Sequence, residues 1–205
     1  MFLSLVHPSF LVRSAFPGVS WKAKSDHRVL HLTFDDGPTP EVTPWLIDTL
    51  HKYHARATFF CLGKNAERYP AIFDKIKSYG HTIGNHTYSH LNGWKTKNPE
   101  YYNDIELAQQ YLNSKLFRPP YGRITPLQIL ELKKKFKIIM WDVLSEDYNQ
   151  DIEPEQCFQN VINHARTGSI IVFHDSEKAR KNLYYALPNV LEYFSMQGFT
   201  FKALK

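Results

Sequence analysis

Two histidines, His86 and His90, stand four positions apart in the stretch GNHTYSH. A spacing of i and i+4 places both imidazoles on one side of a helical turn, where they can hold one metal ion. Taken alone, two histidines at this spacing are more often accidental neighbours on a surface. Gly84 and Asn85, however, end a short predicted strand just before the pair, where α/β folds collect catalytic residues. The sequence therefore predicts a metal site here.

An open catalytic metal site also needs an anionic ligand, with water in the remaining positions. Asp35 and Asp36 lie side by side in FDDGP, directly after another predicted strand. An Asp-Gly-Pro sequence is typical of a turn, and a turn explains one aspartate but not two. One carboxylate could bind the metal while the other faces the water that the metal holds. The residues alone leave open which aspartate does which.

The stretch FRPPYGR, residues 117–123, predicts a rigid loop. Pro119 and Pro120 stiffen the chain and remove two backbone donors. Such rigidity can direct the backbone N–H of Tyr121 toward a developing oxyanion. Arg118 could pair with a carboxylate and hold it ionised. The alternative is an ordinary rigid loop with a surface arginine.

Two further stretches place titratable groups after strands. MWDVLSEDY, residues 140–148, contains Asp142, Glu146 and Asp147, although most acids in a loop are simply solvated. In SIIVFHDS, residues 169–176, an apolar run ends at His174. A histidine after a buried strand is often a satisfied polar group of the core, but beside carboxylates it could be a general acid.

The elements that must position these residues follow from the apolar pattern. Strands are predicted at residues 29–34, 57–61, 82–85, 116–118, 138–141, 169–173 and 199–202. Helices are predicted at residues 41–53, 99–114, 125–135, 154–166 and 183–194, with the last split or restarted by Pro188. This alternation predicts a parallel α/β fold. Because the reactive residues follow several different strands, a closed or nearly closed barrel is favoured over an open doubly wound sheet.

The composition indicates how many domains to expect and which classes of binding partner it does not favour. The 205 residues are enough for one domain with a sizeable core, so we expect a single domain over residues 1–205. Lysine and arginine outnumber aspartate and glutamate by 25 to 20, but they are scattered, which does not indicate a nucleic-acid partner. Cys61 and Cys157 lie far apart and imply no disulfide framework. We expect a monomer.

The N-terminal stretch lacks the features of a targeting segment. It is apolar but short, it is interrupted by His7 and Pro8, and it lacks a basic start. It therefore makes a poor signal peptide and is too short to span a membrane. We interpret residues 1–28 as an extension packed on the domain. With no export signal or membrane span visible, a cytoplasmic location is the default expectation.

Five motifs occur in one order along the chain: TFDDGP, HTYSH, RPPYG, the DVLSEDY region and VFH. In this respect the sequence, from about Val29 to its end, resembles the polysaccharide deacetylase family, also called carbohydrate esterase family 4 or the NodB-homology domain. The resemblance implies a distorted (β/α) barrel with about seven parallel strands and an active site at their C-terminal mouth. It also implies metal-dependent removal of N-acetyl, sometimes O-acetyl, groups from sugars.

The resemblance implies a role for each motif residue. Asp35 would be the catalytic base. The metal ligands would be Asp36, His86 and His90. Zinc is the first choice for two imidazoles and one carboxylate with open positions, and Co²⁺ or Ni²⁺ could replace it.

The remaining motifs imply supporting roles. Arg118 would contact Asp35 and set its position and charge. Tyr121 would give its backbone N–H to the oxyanion. Asp147 would orient His174, and His174 would be the general acid.

Three positions would shape the substrate pocket. Tyr148 stands where the family often has Trp, and Val172 stands where Leu usually precedes the acid. Both are replacements in the pocket wall that concern the fit of a particular acetyl group and sugar. Trp94, just after the metal motif, is either a platform on which a sugar stacks or an anchor in the core.

Three functions remain open at this level. The first is a sugar N-deacetylase that acts on chitin-like or peptidoglycan-like glycans. The second is a metal-dependent amidase of the same fold that acts on a small non-sugar N-acyl compound or cyclic amide. The third is a non-catalytic glycan-binding module, against which the intact set of base, acid and ligands argues.

Overall fold

The computed structural model describes residues 6–25 and 27–205. The strands within this part of the chain are β1 (Val19–Ser20), β2 (Val29–Asp35), β3 (Thr58–Cys61), β4 (Thr82–Asn85), β5 (Leu116–Phe117), β6 (Lys137–Ile139), β7 (Val143–Leu144), β8 (Ile170–His174) and β9 (Thr200–Phe201). The α-helices are α1 (Phe10–Ser14), α2 (Thr43–Lys52), α3 (Gly63–Arg68), α4 (Pro70–Ser78), α5 (Asn98–Leu112), α6 (Pro126–Leu132), α7 (Pro154–His164) and α8 (Arg180–Met196).

The strands form one curled, parallel sheet. Neighbours follow the order β1–β6–β5–β4–β3–β2–β8–β7, and β9 pairs with the start of β2. Every strand pair among the described residues is parallel, as expected for strands joined through helices. The sheet curls into a half-barrel, which confirms the predicted distorted barrel. The sequence pattern did not predict β1 and β7, which have two residues each.

The central strand, β2, divides its side chains between two faces. Leu30, Leu32 and Phe34 join the apolar core beneath the helices. Thr33 and Asp35 point to the concave face, where both accept hydrogen bonds from one arginine. All seven residues of β2 are buried, because the strand lies between β3 and β8. The same alternation places the polar residues of neighbouring strands inside the curl.

The register of the sheet brings the strand ends to one level. Asp35 of β2 is paired with Phe60 of β3 on one side and with His174 of β8 on the other. Farther along, Asn85 at the end of β4 is paired with Phe117 at the end of β5. Residues that follow these strands therefore emerge at a common mouth.

Helix α8 runs without a break through Pro188, so the predicted split was wrong. The proline removes one backbone hydrogen bond and costs about 3 kcal/mol in a helix interior. Leu183 and Leu187 before it, and Val190 and Leu191 after it, are all fully buried. Each such side chain contributes about 1.5–3 kcal/mol on burial, so packing on both sides outweighs the lost bond.

Three helices, α1, α3 and α4, were not predicted. Helices α3 and α4 lie end to end, and Tyr69 between them has φ −126° and ψ 59°, which breaks the helix. Each helix is too short for a clear periodic pattern. In the described ranges, no helix is long and apolar enough to cross a membrane.

The described part of the segment before β2 contacts both edges of the sheet. Strand β1 pairs with β6, and the Leu144 N–H of β7 donates to the Val6 carbonyl. Arg13 contacts Asp142, a carboxylate only 2% exposed, with 2.5 Å between nitrogen and oxygen. Packing of the whole segment 1–28 stays a prediction, since residues 1–5 and 26 lie outside the described residues.

Candidate active site and metal centre

Asp35 is held from below by a buried arginine. Arg118 Nη1 donates to Asp35 Oδ1 at 2.7 Å and to Thr33 Oγ1 at 2.7 Å. Arg118 is 1% exposed, and its other donors reach the carbonyls of Ile139 and Met140. Burial lowers the pKa of Arg118, and the charge of Asp35 opposes this shift. The second oxygen, Asp35 Oδ2, faces the mouth and lies 4.0 Å from His86 Nε2.

Asp36 departs from the strand conformation. Its φ of 84° is left-handed, which is unusual for a residue other than glycine. The Asn65 side chain donates to the Asp36 carbonyl at 2.7 Å. The turn swings the carboxylate of Asp36 to the same mouth as that of Asp35, whereas a continued strand would send it to the opposite face. Asp36 Oδ1 lies 3.2 Å from His90 Nε2 and 3.7 Å from His86 Nε2.

Asp175 fixes this turn, and sequence reasoning missed it. Its carboxylate accepts hydrogen bonds from the Gly37 N–H at 3.0 Å and from Thr43 Oγ1 at 2.6 Å. Its own backbone N–H donates to the carbonyl of Asp35. Burial raises the pKa of Asp175 to about 7, although the Thr43 hydrogen bond opposes the shift. In the sequence, only its position directly after His174 could have pointed to Asp175 as a site residue.

His86 and His90 do not lie on a helical turn, so the geometry predicted for the pair was wrong. They belong to a loop after β4, in which Thr87 and His90 both have φ of 66°. The Asn85 side chain accepts from the Thr87 N–H, and Thr87 Oγ1 accepts from the His90 N–H. These bonds fold the loop tightly enough to bring the two rings within 5.1 Å of each other.

The outer nitrogen of each ring is occupied. His86 Nδ1 lies 2.7 Å from the Arg118 carbonyl oxygen, which can only accept, so Nδ1 carries the proton. His90 Nδ1 lies 3.0 Å from the Tyr121 hydroxyl. The Nε2 atoms of both rings therefore face Asp36.

The three side chains fit a metal ion. One ligand atom from each of Asp36, His86 and His90 lies within 4.8 Å of the others. Asp36 Oδ1 is buried and has no hydrogen-bond partner among the described residues. Burial, with the charge of His90, lowers the pKa of His86 to about 3, and burial lowers that of His90 too. Two neutral imidazoles and a carboxylate with an unpaired oxygen are suitable ligands for zinc.

Across the mouth, His174 is paired with Asp147. His174 Nδ1 lies 2.7 Å from Asp147 Oδ1, and the His174 backbone N–H donates to Oδ2 at 2.7 Å. Burial acts to lower the pKa of His174, but the charge and hydrogen bond of Asp147 outweigh it, and Asp36 and Asp35 add to the rise. The resulting pKa of about 9 keeps the ring protonated at neutral pH.

The predicted pocket residues differ in their exposure. Tyr121 has φ of 61° in a short 3₁₀ turn, Pro120–Gly122, and is 59% exposed. Trp94 is 56% exposed, so it is not an anchor in the core, and its indole N–H donates to the Ile124 carbonyl. Tyr148 meets the ring of His174 edge-on at 5.0 Å. Val172 is 1% exposed and lies below the mouth.

The two other acids of the 140–148 stretch lie outside this cluster, and neither is a solvated loop acid. Asp142 is 2% exposed and accepts hydrogen bonds from Arg13 and Ser169. Glu146 is 9% exposed, and burial raises its pKa. Of the three acids, only Asp147 contacts His174.

Comparison with known proteins places the chain among deacetylases. A family model described as polysaccharide deacetylase matches residues 22–138. A peptidoglycan-N-acetylglucosamine deacetylase of Bacillus cereus is 40% identical over 152 residues, which are 71% of this chain and 55% of that protein. The chain thus spans about half the length of this relative.

In two further matches, the chain covers a larger share of the related protein. A chitooligosaccharide deacetylase of Azorhizobium caulinodans is 36% identical over 155 residues, 71% of this chain and 73% of that protein. The crystal structure of the Bc1960 peptidoglycan N-acetylglucosamine deacetylase, in complex with 4-naphthalen-1-yl-N-oxidanyl-benzamide, superposes with a TM-score of 0.87 at 32% identity. That match covers 96% of this chain and 95% of the other.

Proposed function

The chain belongs to the polysaccharide deacetylase family, and we propose that it removes N-acetyl groups from glycans that contain N-acetylglucosamine, with one divalent metal ion. One observation carries the proposal. The Asp35–Arg118 pair, the Asp36–His86–His90 cluster and the His174–Asp147 pair all meet at the mouth of one curled sheet. Hydrolysis of an amide needs a base, an electrophile and an acid, and these three groups can supply them.

The metal would be held by Asp36, His86 and His90, and Zn²⁺ suits this set best, with Co²⁺ or Ni²⁺ as substitutes. When bound, the ion would polarise the acetamide carbonyl and lower the pKa of a water molecule. The Arg118 carbonyl at His86 Nδ1 would leave Nε2 of that ring available to the ion.

Asp35 would act as the base. Arg118 occupies Oδ1, so Oδ2 is the atom that can take a proton from the attacking water. The guanidinium would also fix the orientation of the carboxylate, because it donates to Oδ1 at 2.7 Å from a buried position. The water oxygen then forms the new bond to the acetyl carbon, and the carbonyl oxygen becomes an oxyanion.

The Tyr121 backbone N–H would donate to that oxyanion. Its left-handed φ of 61° comes directly after Pro119 and Pro120, which restrict the chain on that side. A backbone donor in a rigid turn needs no reorganisation as charge develops, which is the condition for effective stabilisation of an oxyanion.

His174 would act as the acid. Its Nδ1 is occupied by Asp147, so Nε2–H is the group that can protonate the departing sugar nitrogen. When that nitrogen takes the proton, the C–N bond breaks, and the products are acetate and a free amino sugar. The raised pKa of about 9 ensures that this proton is present at neutral pH.

The rim of the mouth would bind the sugar. Trp94 presents an exposed indole and Tyr148 a ring beside His174, and such faces suit the apolar side of a pyranose. Val172, buried below His174, would limit the depth of the acetyl pocket. The names of the relatives direct the search toward peptidoglycan and chitooligosaccharides.

Acetate release from a substrate panel tests the proposal. The panel contains N-acetylglucosamine oligomers, peptidoglycan, O-acetylated sugars and small N-acetyl amides, each with added zinc or with chelator. We expect acetate from the N-acetylglucosamine glycans, and its loss with chelator. Release from small non-sugar amides alone would favour the amidase function. No release from any glycan by metal-loaded, folded protein would contradict the proposal.

A further inference from the structure

The two histidines of the cluster are held in different ways. His86 is 3% exposed and lies against a backbone carbonyl, which is fixed by the fold. His90 is 23% exposed and lies against the Tyr121 hydroxyl, which is at the end of a flexible side chain. Packing therefore restrains His86 strongly, whereas the orientation of His90 depends more on a single hydrogen bond.

The backbone of the RPPYG loop directs Tyr121 toward His90. Tyr121 and Gly122 both have left-handed backbones, with φ of 61° and 64°. The ring centroids of Tyr121 and His90 are 4.5 Å apart. Arg123 lies 5.9 Å from the Tyr121 centroid and 5.5 Å from that of Trp94. The phenol therefore lies between the proposed metal ligands and the exposed indole of Trp94.

We propose that the hydroxyl of Tyr121 is a positioning group for the metal, because it holds His90 in the tautomer whose Nε2 lone pair faces Asp36. This inference rests on the proposed function only in requiring that Asp36, His86 and His90 bind a metal. A ligating Nε2 leaves the ring proton on Nδ1, and Nδ1–H then donates to Tyr121 Oη at the observed 3.0 Å.

Without this acceptor, the His90 tautomer that carries its proton on Nε2 becomes more populated. Its Nε2–H would donate to Asp36 Oδ1, which lies 3.2 Å away and has no other partner in the described part of the chain. That hydrogen bond would occupy both a ligand nitrogen and the ligand oxygen. Tyr121 therefore has two separate tasks in this site: its backbone N–H faces the substrate, and its side chain serves the metal.

Tyr121→Phe separates these tasks, because it keeps the backbone and the ring and removes only the hydroxyl. We expect Zn²⁺ to bind about tenfold more weakly, measured by competition with a chromophoric chelator, since outer partners of metal-bound histidines have effects of this size. The absorption spectrum of the Co²⁺ form should also change. At saturating zinc most of the activity should return, because the oxyanion donor is intact.

Tyr185→Phe is the matched control. Tyr185 is 43% exposed, and its hydroxyl bonds to Glu155, outside the site. This variant should bind zinc like the parent. The thermal midpoints of both variants should stay close to that of the parent, because neither ring is buried.

Two results would overturn the inference while leaving the proposed function intact. One is a Tyr121→Phe protein with parental zinc affinity and Co²⁺ spectrum. The other is an activity loss that excess zinc does not restore while zinc affinity is unchanged, which would assign the hydroxyl to the substrate. If the parent protein binds no zinc, Co²⁺ or Ni²⁺ at all, the proposed function itself fails.

Discussion

At the scale of single residues, the two adjacent aspartates have different surroundings. Asp35 ends a strand and meets Arg118, whereas Asp36 turns through a left-handed backbone toward two imidazoles. Arg118 offsets the repulsion of the two carboxylates on the Asp35 side, and the proposed metal ion would offset it on the Asp36 side. The two residues therefore differ in what their removal should do.

Asp35→Asn should separate catalysis from metal binding. We expect turnover to fall about 10²–10⁴-fold, because the amide cannot accept the proton of the attacking water. Zinc content should stay at the parental level, since Asp35 is not among the three proposed ligands. Asp36→Asn should lose metal instead. Loss of zinc in Asp35→Asn but not in Asp36→Asn would reverse the two assignments.

The pairing of His174 with Asp147 predicts the alkaline limit of activity. The pKa of His174 is raised to about 9, so the acid is protonated below that pH and the rate should fall as pH rises through it. The same shift stabilises the folded protein fully below the ordinary pKa of 6.5, and this stabilisation is lost as pH rises through about 9.

Asp147→Asn tests this limit. Without the carboxylate charge, burial should lower the pKa of His174, so the alkaline fall in rate should move down by at least about one pH unit. The measurement is a pH–rate profile at saturating zinc. An unchanged profile would show that a group other than His174 sets the alkaline limit.

At the scale of elements, the turn after β2 depends on close packing of Gly37 against Asp175, which follows β8. A Cβ on Gly37 would lie 1.8 Å from Asp175 Oδ2, and that carboxylate cannot retreat because Thr43 and the Gly37 N–H hold it. Gly198, by contrast, has φ of 76°, and a Cβ there would meet only Arg28 Nη1, at 4.0 Å. The two glycines are thus required for different reasons, steric in one case and conformational in the other.

Gly37→Ala should destabilise the fold and weaken metal binding together. We expect a loss of about 1–3 kcal/mol in the free energy of unfolding, as for other overpacked sites, and a clear loss of zinc affinity because Asp36 moves. Gly198→Ala should cost about 1 kcal/mol with no change in zinc affinity. Urea denaturation and zinc titration give both values. Parental zinc affinity in Gly37→Ala would argue against the role of Asp175.

At the scale of the whole molecule, the segment before β2 joins the two edges of the open sheet. It pairs with β6 through β1, contacts β7 through the Val6 carbonyl, and places Arg13 on the buried Asp142. Lys22 lies 4.0 Å from the same carboxylate. We infer that this segment stabilises the half-barrel from which the site is built.

Arg13→Ala measures that contribution. Removing the nearest cation from a carboxylate only 2% exposed should lower the free energy of unfolding by about 1–3 kcal/mol. Arg180→Ala is the control, because its pair with Glu177 is about half exposed on both sides and should contribute little. Equal stabilities of the two variants in urea would show that the Arg13–Asp142 contact stabilises the fold no more than an exposed ion pair does.

Much of this organisation was predictable from local pattern. Seven strands and five helices were placed close to their observed bounds, because burial period and β-propensity are properties of short stretches. The course of α8 through Pro188 was not predictable, since packing on α7 overrides a local rule. Nor was the loop of His86 and His90, whose shape depends on hydrogen bonds from Asn85 and Thr87.

The sequence by itself determined the chemical groups, their order and their places after parallel strands, because these depend on residue type and local pattern alone. Only the tertiary structure decided how the groups are paired. Tyr121 meets His90 across 31 positions, Arg118 meets Asp35 across 83, and Asp175 meets Gly37 across 138. Such contacts arise because the curled sheet brings distant strand ends to one mouth, and no local periodicity encodes which side chains then face each other.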